Sequence, residues 1–260
     1  MPFTLAHAAA ALPLRRLLRG AADFPALVIG CFIPDIPYFL PRPLCDINAH
    51  LLPGLILFGI PCGWAIYALW FGLLREPMAV LLPRRCAALL IAAGGRSTCA
   101  ARAGAGTLSL LAGALSHVAW DAFTHRRGLI VHAWPTLAQP LLPLGDQTLP
   151  PYFLLQHGST LVGMLCLALH VRRRLRQIAP THADAEPALQ LSARHKLAVA
   201  SLLSIASAYW VWRTFSSEHA LQLSAYNVVC CSISSGATLF VAYALVWHGY
   251  RLLGRRRERR

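Results

Sequence analysis

Long uncharged apolar runs dominate the chain and predict most of its secondary structure. They cover residues 51–74, 103–120, 147–171, 197–212 and 219–250, and none contains Asp, Glu, Lys or Arg. A helix of about 20 apolar residues is long enough to cross the hydrocarbon layer of a bilayer. We therefore predict an all-α, polytopic membrane helical bundle with about five full spans. Within the third and fifth runs, we expect the spans themselves to cover residues 152–171 and 226–247.

The N-terminal region has a different pattern, with two apolar arms that are each too short to cross a bilayer alone. Residues 1–20 predict a short helix with Thr4 as its N-cap and arginines near its end. A second arm, residues 24–33, is broken by Pro34-Asp35-Ile36-Pro37, because prolines end a helix and fix a turn. The arms form either a helical hairpin or, with residues 24–40, one broken span.

Composition agrees with a membrane protein and argues against other classes. Hydrophobic residues make up 57% of the chain and charged residues 13%, whereas soluble domains average about 25% charged residues. The net charge of +14 comes largely from arginines at the ends of apolar runs, where they anchor spans at headgroups, so we expect no nucleic-acid partner. The eight cysteines contain no C-x-x-C pair and predict no disulfide framework.

The distribution of positive charge predicts the topology and the domain boundaries. Residues 171–196 form a basic loop and residues 251–260 form an Arg-rich tail, and we expect both in the cytoplasm. Between them in the sequence, residues 197–250 contain two C-terminal transmembrane helices. The loop at residues 216–225 has no Lys or Arg and should be external. We predict a multi-pass membrane protein with a cytoplasmic C-terminus and a membrane domain in residues 1–170.

The strongest chemical signal lies at the end of the second apolar run. His117, Asp121 and His125 recur every fourth residue, so that on a helix all three project from one face. Imidazole and carboxylate are ligands that zinc and manganese take from proteins. An intramembrane carboxylate is costly and normally has a partner, and the alternative is that Asp121 only caps a helix or forms a hydrogen bond with a Ser or Trp within the membrane.

Three further residues are candidates for the same site. Asp35 is embedded in apolar sequence, but it could instead organise its proline turn. His50 precedes the first long run, where an interfacial histidine is the alternative, and His7 is equally ambiguous on an Ala-rich helix. The topology puts His50 and Asp121 on the same extracytoplasmic side.

These residues lie in segments that resemble a bacterial multi-pass membrane family of unknown function. That family is similar to the LexA-regulated inner-membrane proteins inferred to be metal-dependent hydrolases. The resemblance covers roughly residues 1–170 and rests on Met1-Pro2-Phe3-Thr4 with His7, Ile33-Pro34-Asp35-Ile36-Pro37-Tyr38, His50, the block Gly113 to His125, and Gln156-His157-Gly158-Ser159.

The resemblance and the residues together imply a function. The resemblance implies a location in the bacterial inner membrane. We expect a metal-dependent hydrolase with its site near the extracytoplasmic face, acting on a lipid-like or phosphoester substrate, with the lipid bilayer as its surroundings. One or two divalent ions, zinc or manganese, would be held by His7, Asp35, His50, His117, Asp121 and His125. Asp35 or Asp121 could instead be the general base, and Arg126 and Arg127 either hold a phosphate-bearing headgroup or anchor the chain at the interface. The alternative function is a non-enzymatic ion or proton transporter, or a scaffold, that uses the same cluster.

Overall fold

A computed structural model describes residues 4–19, 21–40, 46–92, 99–144, 147–178, 191–216 and 225–258. Within them the fold is helical, as predicted. The helices are α1 (Ala11–Leu17), α2 (Phe24–Gly30), α3 (Leu52–Leu81), α4 (Arg84–Ala92), α5 (Cys99–Thr124), α6 (Leu129–Ala133), α7 (Pro151–Gln177), α8 (Ala193–Ser216) and α9 (Ala225–Glu258). Short 3-10 helices cover Thr4–Ala10, Ile33–Phe39 and Pro135–Ala138.

Three helices within the described residues are long and apolar enough to cross a membrane: Leu52–Leu81, Pro151–Gln177 and Asn227–Leu253. They confirm the first, third and fifth of the predicted spans. The runs at residues 103–120 and 197–212 are also helical, as α5 and α8, but these helices are less apolar. Glycine, serine and histidine lower the hydropathy of α5, and basic residues lie near both ends of α8.

The chain divides into two compact units. Unit 1 contains residues 1–37, 46–67 and 95–174, and unit 2 contains residues 38–45, 68–94 and 175–260. Both units therefore draw on several separate segments, and α3 changes unit after Tyr67. The predicted loop at 171–196, the external loop at 216–225 and the tail at 251–260 lie partly outside the described residues.

In unit 1, α2 and α5 run parallel at very close range. The Asp23 amide donates to Ser109 Oγ at 2.9 Å, and the carbonyl of Cys31 lies 2.7 Å from His117 Nδ1; both pairs are 86 residues apart. Glycine at position 113 makes this approach feasible, since a Cβ there would lie 2.4 Å from the Leu27 carbonyl oxygen. The packing brings the end of α2 against the site-bearing turn of α5.

Of the two arrangements predicted for the N-terminal arms, the structure has the helical hairpin. Ala11 on the first arm is buried with Leu27 and Cys31 on the second. Asp23 begins the second arm as the N-cap of α2, accepting a hydrogen bond from the Ala26 amide at 3.1 Å. The chain then continues into the 3-10 helix Ile33–Phe39, which contains Pro37.

A small two-stranded ladder follows α5. After α6, strand β1 (Leu142–Leu144) pairs antiparallel with β2 (Gln147–Leu149), with Leu142 opposite Leu149. This segment is rich in proline, and none of the three candidate spans includes it.

In unit 2, α8 and α9 pack against each other through small polar groups. The hydroxyls of Ser207 and Ser235 lie 2.6 Å apart, and Ser234 donates to the carbonyl of Phe39 at 2.8 Å. Near the end of α9, Arg251 pairs with Glu76 and lies over the ring of Trp247, 4.7 Å from its centroid.

Candidate metal centre

All six predicted site residues lie in unit 1 and come from four separate stretches of chain. His7 is on the 3-10 helix Thr4–Ala10, Asp35 is on the one after α2, and His50 lies just before α3. His117 and Asp121 are in the last two turns of α5, and His125 is the residue after it, with its amide still bonded to the Asp121 carbonyl at 3.1 Å. The helical face predicted from the spacing therefore extends through His125.

The Asp121 carboxylate lies at the centre of the four histidines. Its Oδ2 is 3.3 Å from His117 Nε2 and 3.5 Å from His50 Nε2. Its Oδ1 is 3.3 Å from His125 Nδ1 and 3.5 Å from His7 Nε2. Each oxygen of this one carboxylate thus faces a different pair of imidazoles.

Asp35 provides the second carboxylate and is almost fully buried. Its Oδ1 lies 3.6 Å from both His50 Nε2 and His117 Nε2. Its Oδ2 accepts a hydrogen bond from the hydroxyl of Thr4 at 2.7 Å. Because one oxygen is held by this hydroxyl, the other is directed at the ring nitrogens.

The backbone of α2 fixes the orientation of His117. Its Nδ1 lies 2.7 Å from the Cys31 carbonyl oxygen, which can only accept, so the proton is on Nδ1. The lone pair is then on Nε2, the nitrogen that faces Asp35 and Asp121. A histidine that donates one ring N–H to a backbone carbonyl and presents the other nitrogen is the usual arrangement of a metal ligand.

Several atoms of the cluster are buried without a hydrogen-bond partner. Among the described residues, these include His7 Nε2, His117 Nε2 and Asp121 Oδ1. Buried polar atoms normally find a partner, because leaving one unsatisfied costs about 1–3 kcal/mol. Atoms of these types, converging within 4.8 Å of one another, could hold a metal ion, and the donor set fits a divalent ion such as zinc.

Burial also affects the ionisation of two of the four histidines, His7 and His125. It lowers the pKa of His7 to about 3, and it lowers the pKa of His125 as well. Both rings are therefore neutral at pH 7, which leaves one lone pair on each ring. The cluster remains accessible at one side, since the side chains of Asp121, His50 and His125 are 13%, 24% and 28% exposed.

Two contacts of the site were not predicted. Thr4 was expected to cap a helix, but its hydroxyl bonds Asp35 instead. The Cys31 carbonyl had no signal at all in the sequence, because any residue type can provide a backbone acceptor. Arg126 and Arg127, candidates for headgroup binding, are exposed directly after the cluster.

Fold and site together define a class: a helical protein with membrane-length apolar helices and a buried His/Asp cluster that could hold a metal ion. The chain belongs to the family described as Domain of unknown function (DUF4184), whose profile matches residues 1–247. The match includes the C-terminal helices, which carried little of the resemblance seen in the sequence. None of the curated proteins and none of the solved structures compared with the chain matches it.

Proposed function

We propose that this protein is a metal-dependent hydrolase embedded in the bacterial inner membrane, with its site near the extracytoplasmic face. The observation that carries the proposal is the buried convergence of His7, His117 and Asp121, whose facing atoms lack hydrogen-bond partners. A bound zinc or manganese ion supplies Lewis acidity and an activated water for attack on a phosphoryl or acyl centre. The resemblance of the same residues to LexA-regulated hydrolases supports this reaction class.

The side chains have separate roles in this proposal. The four histidines and the two carboxylates hold the metal, while Thr4 and the Cys31 carbonyl keep Asp35 and His117 in orientation. Asp35 and Asp121 were also candidates for a general base. Their contacts favour ligation instead, because each faces ring nitrogens at 3.3–3.6 Å.

A lipid-like phosphoester is the substrate class that the surroundings of the site favour. The exposed side chains of Leu51 and Leu52 come directly after His50, and the exposed Arg126 and Arg127 come directly after His125. Apolar groups suit acyl chains, and guanidinium groups suit a phosphate. The C-terminus is cytoplasmic in this proposal, which the basic segments of the chain support.

A transporter or scaffold is the competing function. A relay would need ionisable groups distributed along a span. Here the four histidines converge around the two carboxylates, which supports a localised site.

The proposal is tested by metal content together with activity. Protein purified in detergent with a histidine-free affinity tag should retain a divalent ion by elemental analysis, and His117→Ala should lose it. His132→Ala, which removes an exposed histidine outside the cluster, is the matched control and should retain the metal. A screen of phosphoesters and phospholipids in mixed micelles should then show hydrolysis by wild type that chelation abolishes. No metal in wild type, or no metal-dependent hydrolysis of any substrate class in the screen, would remove the proposal.

A further inference from the structure

We propose that the cluster is a two-ion centre in which the Asp121 carboxylate bridges the ions and the histidines divide into two pairs. His50 and His117 would bind one ion, and His7 and His125 the other. This assignment rests on the proposed function for its metal, and on ring geometry for the division.

The first argument is that His7 and His117 cannot bind the same ion well. Their rings are stacked, with centroids 3.7 Å apart and planes inclined by only 17°. The lone pair of an imidazole nitrogen lies in the ring plane, and a zinc–nitrogen bond is about 2.0–2.1 Å long. Two nearly parallel planes at this separation meet far beyond that distance, so one ion cannot lie in both planes. The two unsatisfied Nε2 atoms therefore call for two ions.

The second argument is that His50 and His117 can share an ion. Their ring planes are inclined by 68° and therefore converge. Both Nε2 atoms face Asp121 Oδ2, at 3.5 and 3.3 Å, and both lie 3.6 Å from Asp35 Oδ1. Ligand atoms around a tetrahedral zinc ion are about 3.3–3.6 Å from one another, given zinc–ligand bonds of about 2.0–2.2 Å. The four distances from the two ring nitrogens to the two carboxylate oxygens agree with that spacing, and we call these four atoms the four-donor site.

The third argument concerns the other oxygen of Asp121. Its Oδ1 is 3.5 Å from His7 Nε2 and 3.3 Å from His125 Nδ1, which is again the spacing of ligands around one ion. We call these three atoms the three-donor site. Three protein ligands with one remaining position are the pattern of catalytic zinc, whereas four ligands are the pattern of a closed site. The ion beside the partly exposed His125 would thus be the one that meets substrate.

The stacking distance also bears on the substrate. Paired ions in phosphoester-cleaving enzymes lie about 3.5–4 Å apart and hold the attacking and leaving oxygens of an in-line displacement. The stacked rings of His7 and His117 have centroids 3.7 Å apart, so two ions held in the two ring planes would be separated by a distance of about this size. The two-ion arrangement therefore favours a phosphoester over a carboxylic ester.

Manganese loading tests the division of ligands. Protein with a histidine-free tag is saturated with Mn²⁺ in detergent, desalted, and measured by elemental analysis and electron paramagnetic resonance. We expect about two ions per chain in wild type, with the exchange-coupled spectrum of a carboxylate-bridged pair. His125→Ala should lose the ion of the three-donor site, keep the other ion and show an uncoupled spectrum. His50→Ala should lose the ion of the four-donor site and likewise keep one uncoupled ion. His132→Ala should match wild type.

The outcomes separate this inference from the proposed function. One ion per chain in saturated wild type, with an uncoupled spectrum, overturns the two-ion centre without any variant having to fold. A His7→Ala/His125→Ala double variant that keeps its helical circular dichroism but loses both ions also overturns the division. If wild type binds two coupled ions but shows no hydrolysis, the two-ion centre stands and the proposed hydrolase function is wrong. If the protein hydrolyses a substrate with only one bound ion, the hydrolase function stands and the two-ion centre is wrong.

Discussion

The two compact units are both helical, yet they use polar side chains in opposite ways. Unit 1 buries ionisable groups and joins them over long sequence distances, as in the contacts of Asp35 with Thr4 and of His117 with the Cys31 carbonyl. The polar contacts inside unit 2 are mostly hydroxyl groups, such as the pair of Ser207 and Ser235 between α8 and α9. The site lies where short helices of unit 1 meet the end of the long helix α5.

The physical reason lies in how each unit satisfies its backbone. Long helices such as α8 and α9 pair their own N–H and C=O groups and need little from neighbours, which suits a lipid environment. The 3-10 helices Thr4–Ala10 and Ile33–Phe39 are short, and the hydroxyl of Thr4 on the first donates to the carboxylate of Asp35 on the second. These interruptions allow side chains from separate segments to point at one place.

The largest effect on the site is expected from a substitution that forces α2 away from α5. Alanine at position 113 would place its Cβ 2.4 Å from the Leu27 carbonyl oxygen and 2.7 Å from the Cys31 amide nitrogen. We expect Gly113→Ala to lower the free energy of unfolding by about 1–3 kcal/mol through overpacking, and to lose metal because the Cys31 carbonyl moves away from His117. Thermal unfolding in detergent and elemental analysis measure the two effects.

Gly104→Ala provides the control in the same helix. Nothing lies within 4 Å of a Cβ at position 104, so this change should raise stability by up to about 1 kcal/mol through helix propensity and leave the metal in place. Equal behaviour of the two variants would mean that close helix contact does not maintain the site.

A smaller effect is expected from the hydroxyl that holds Asp35. Thr4→Val removes the 2.7 Å hydrogen bond but keeps the shape of the side chain. Loss of a group that orients a ligand typically reduces metal affinity by about 10–100-fold. Competition with a fluorescent chelator measures this affinity. Thr4→Ser should restore it, and Thr160→Val, whose hydroxyl bonds a carbonyl of its own helix, should leave it unchanged.

The smallest effect is expected in unit 2. Ser207→Ala removes one hydrogen bond between α8 and α9, and such bonds in membrane proteins contribute about 0.6 kcal/mol on average. Unfolding in detergent should show a change of this size, while metal content stays at the wild-type value. Loss of metal in this variant would contradict the assignment of the site to unit 1 alone.

Much of this architecture could be predicted from the sequence, because its signals are local. The uncharged runs predicted α3, α7 and α9, and the four-residue spacing identified the face of α5 that carries His117 and Asp121. Local patterns also singled out Asp35, since a carboxylate in apolar sequence is costly without a partner, and His50, which stands directly before the first apolar run.

What could not be predicted depends on tertiary contacts. The choice between a hairpin and a broken span depends on the packing of Ala11 against Leu27, which no local pattern encodes. The bond from Thr4 to Asp35 and the Cys31 carbonyl acceptor likewise exist only in the folded chain. The proposed division of the four histidines between two ions depends on the angles between their ring planes, and the spacing of residues in the sequence does not determine these angles.

The parallel contact of α2 and α5 has a consequence for how chain length can vary. Asp23 meets Ser109 and Cys31 meets His117 with the same sequence offset, so the interval between the two contacts is identical on both helices. A single insertion or deletion within either interval would rotate the following residues by about 100° and turn His117 or its acceptor away. Homologous chains that keep the site should therefore preserve both intervals, and tolerate length changes in the segment between α5 and α7.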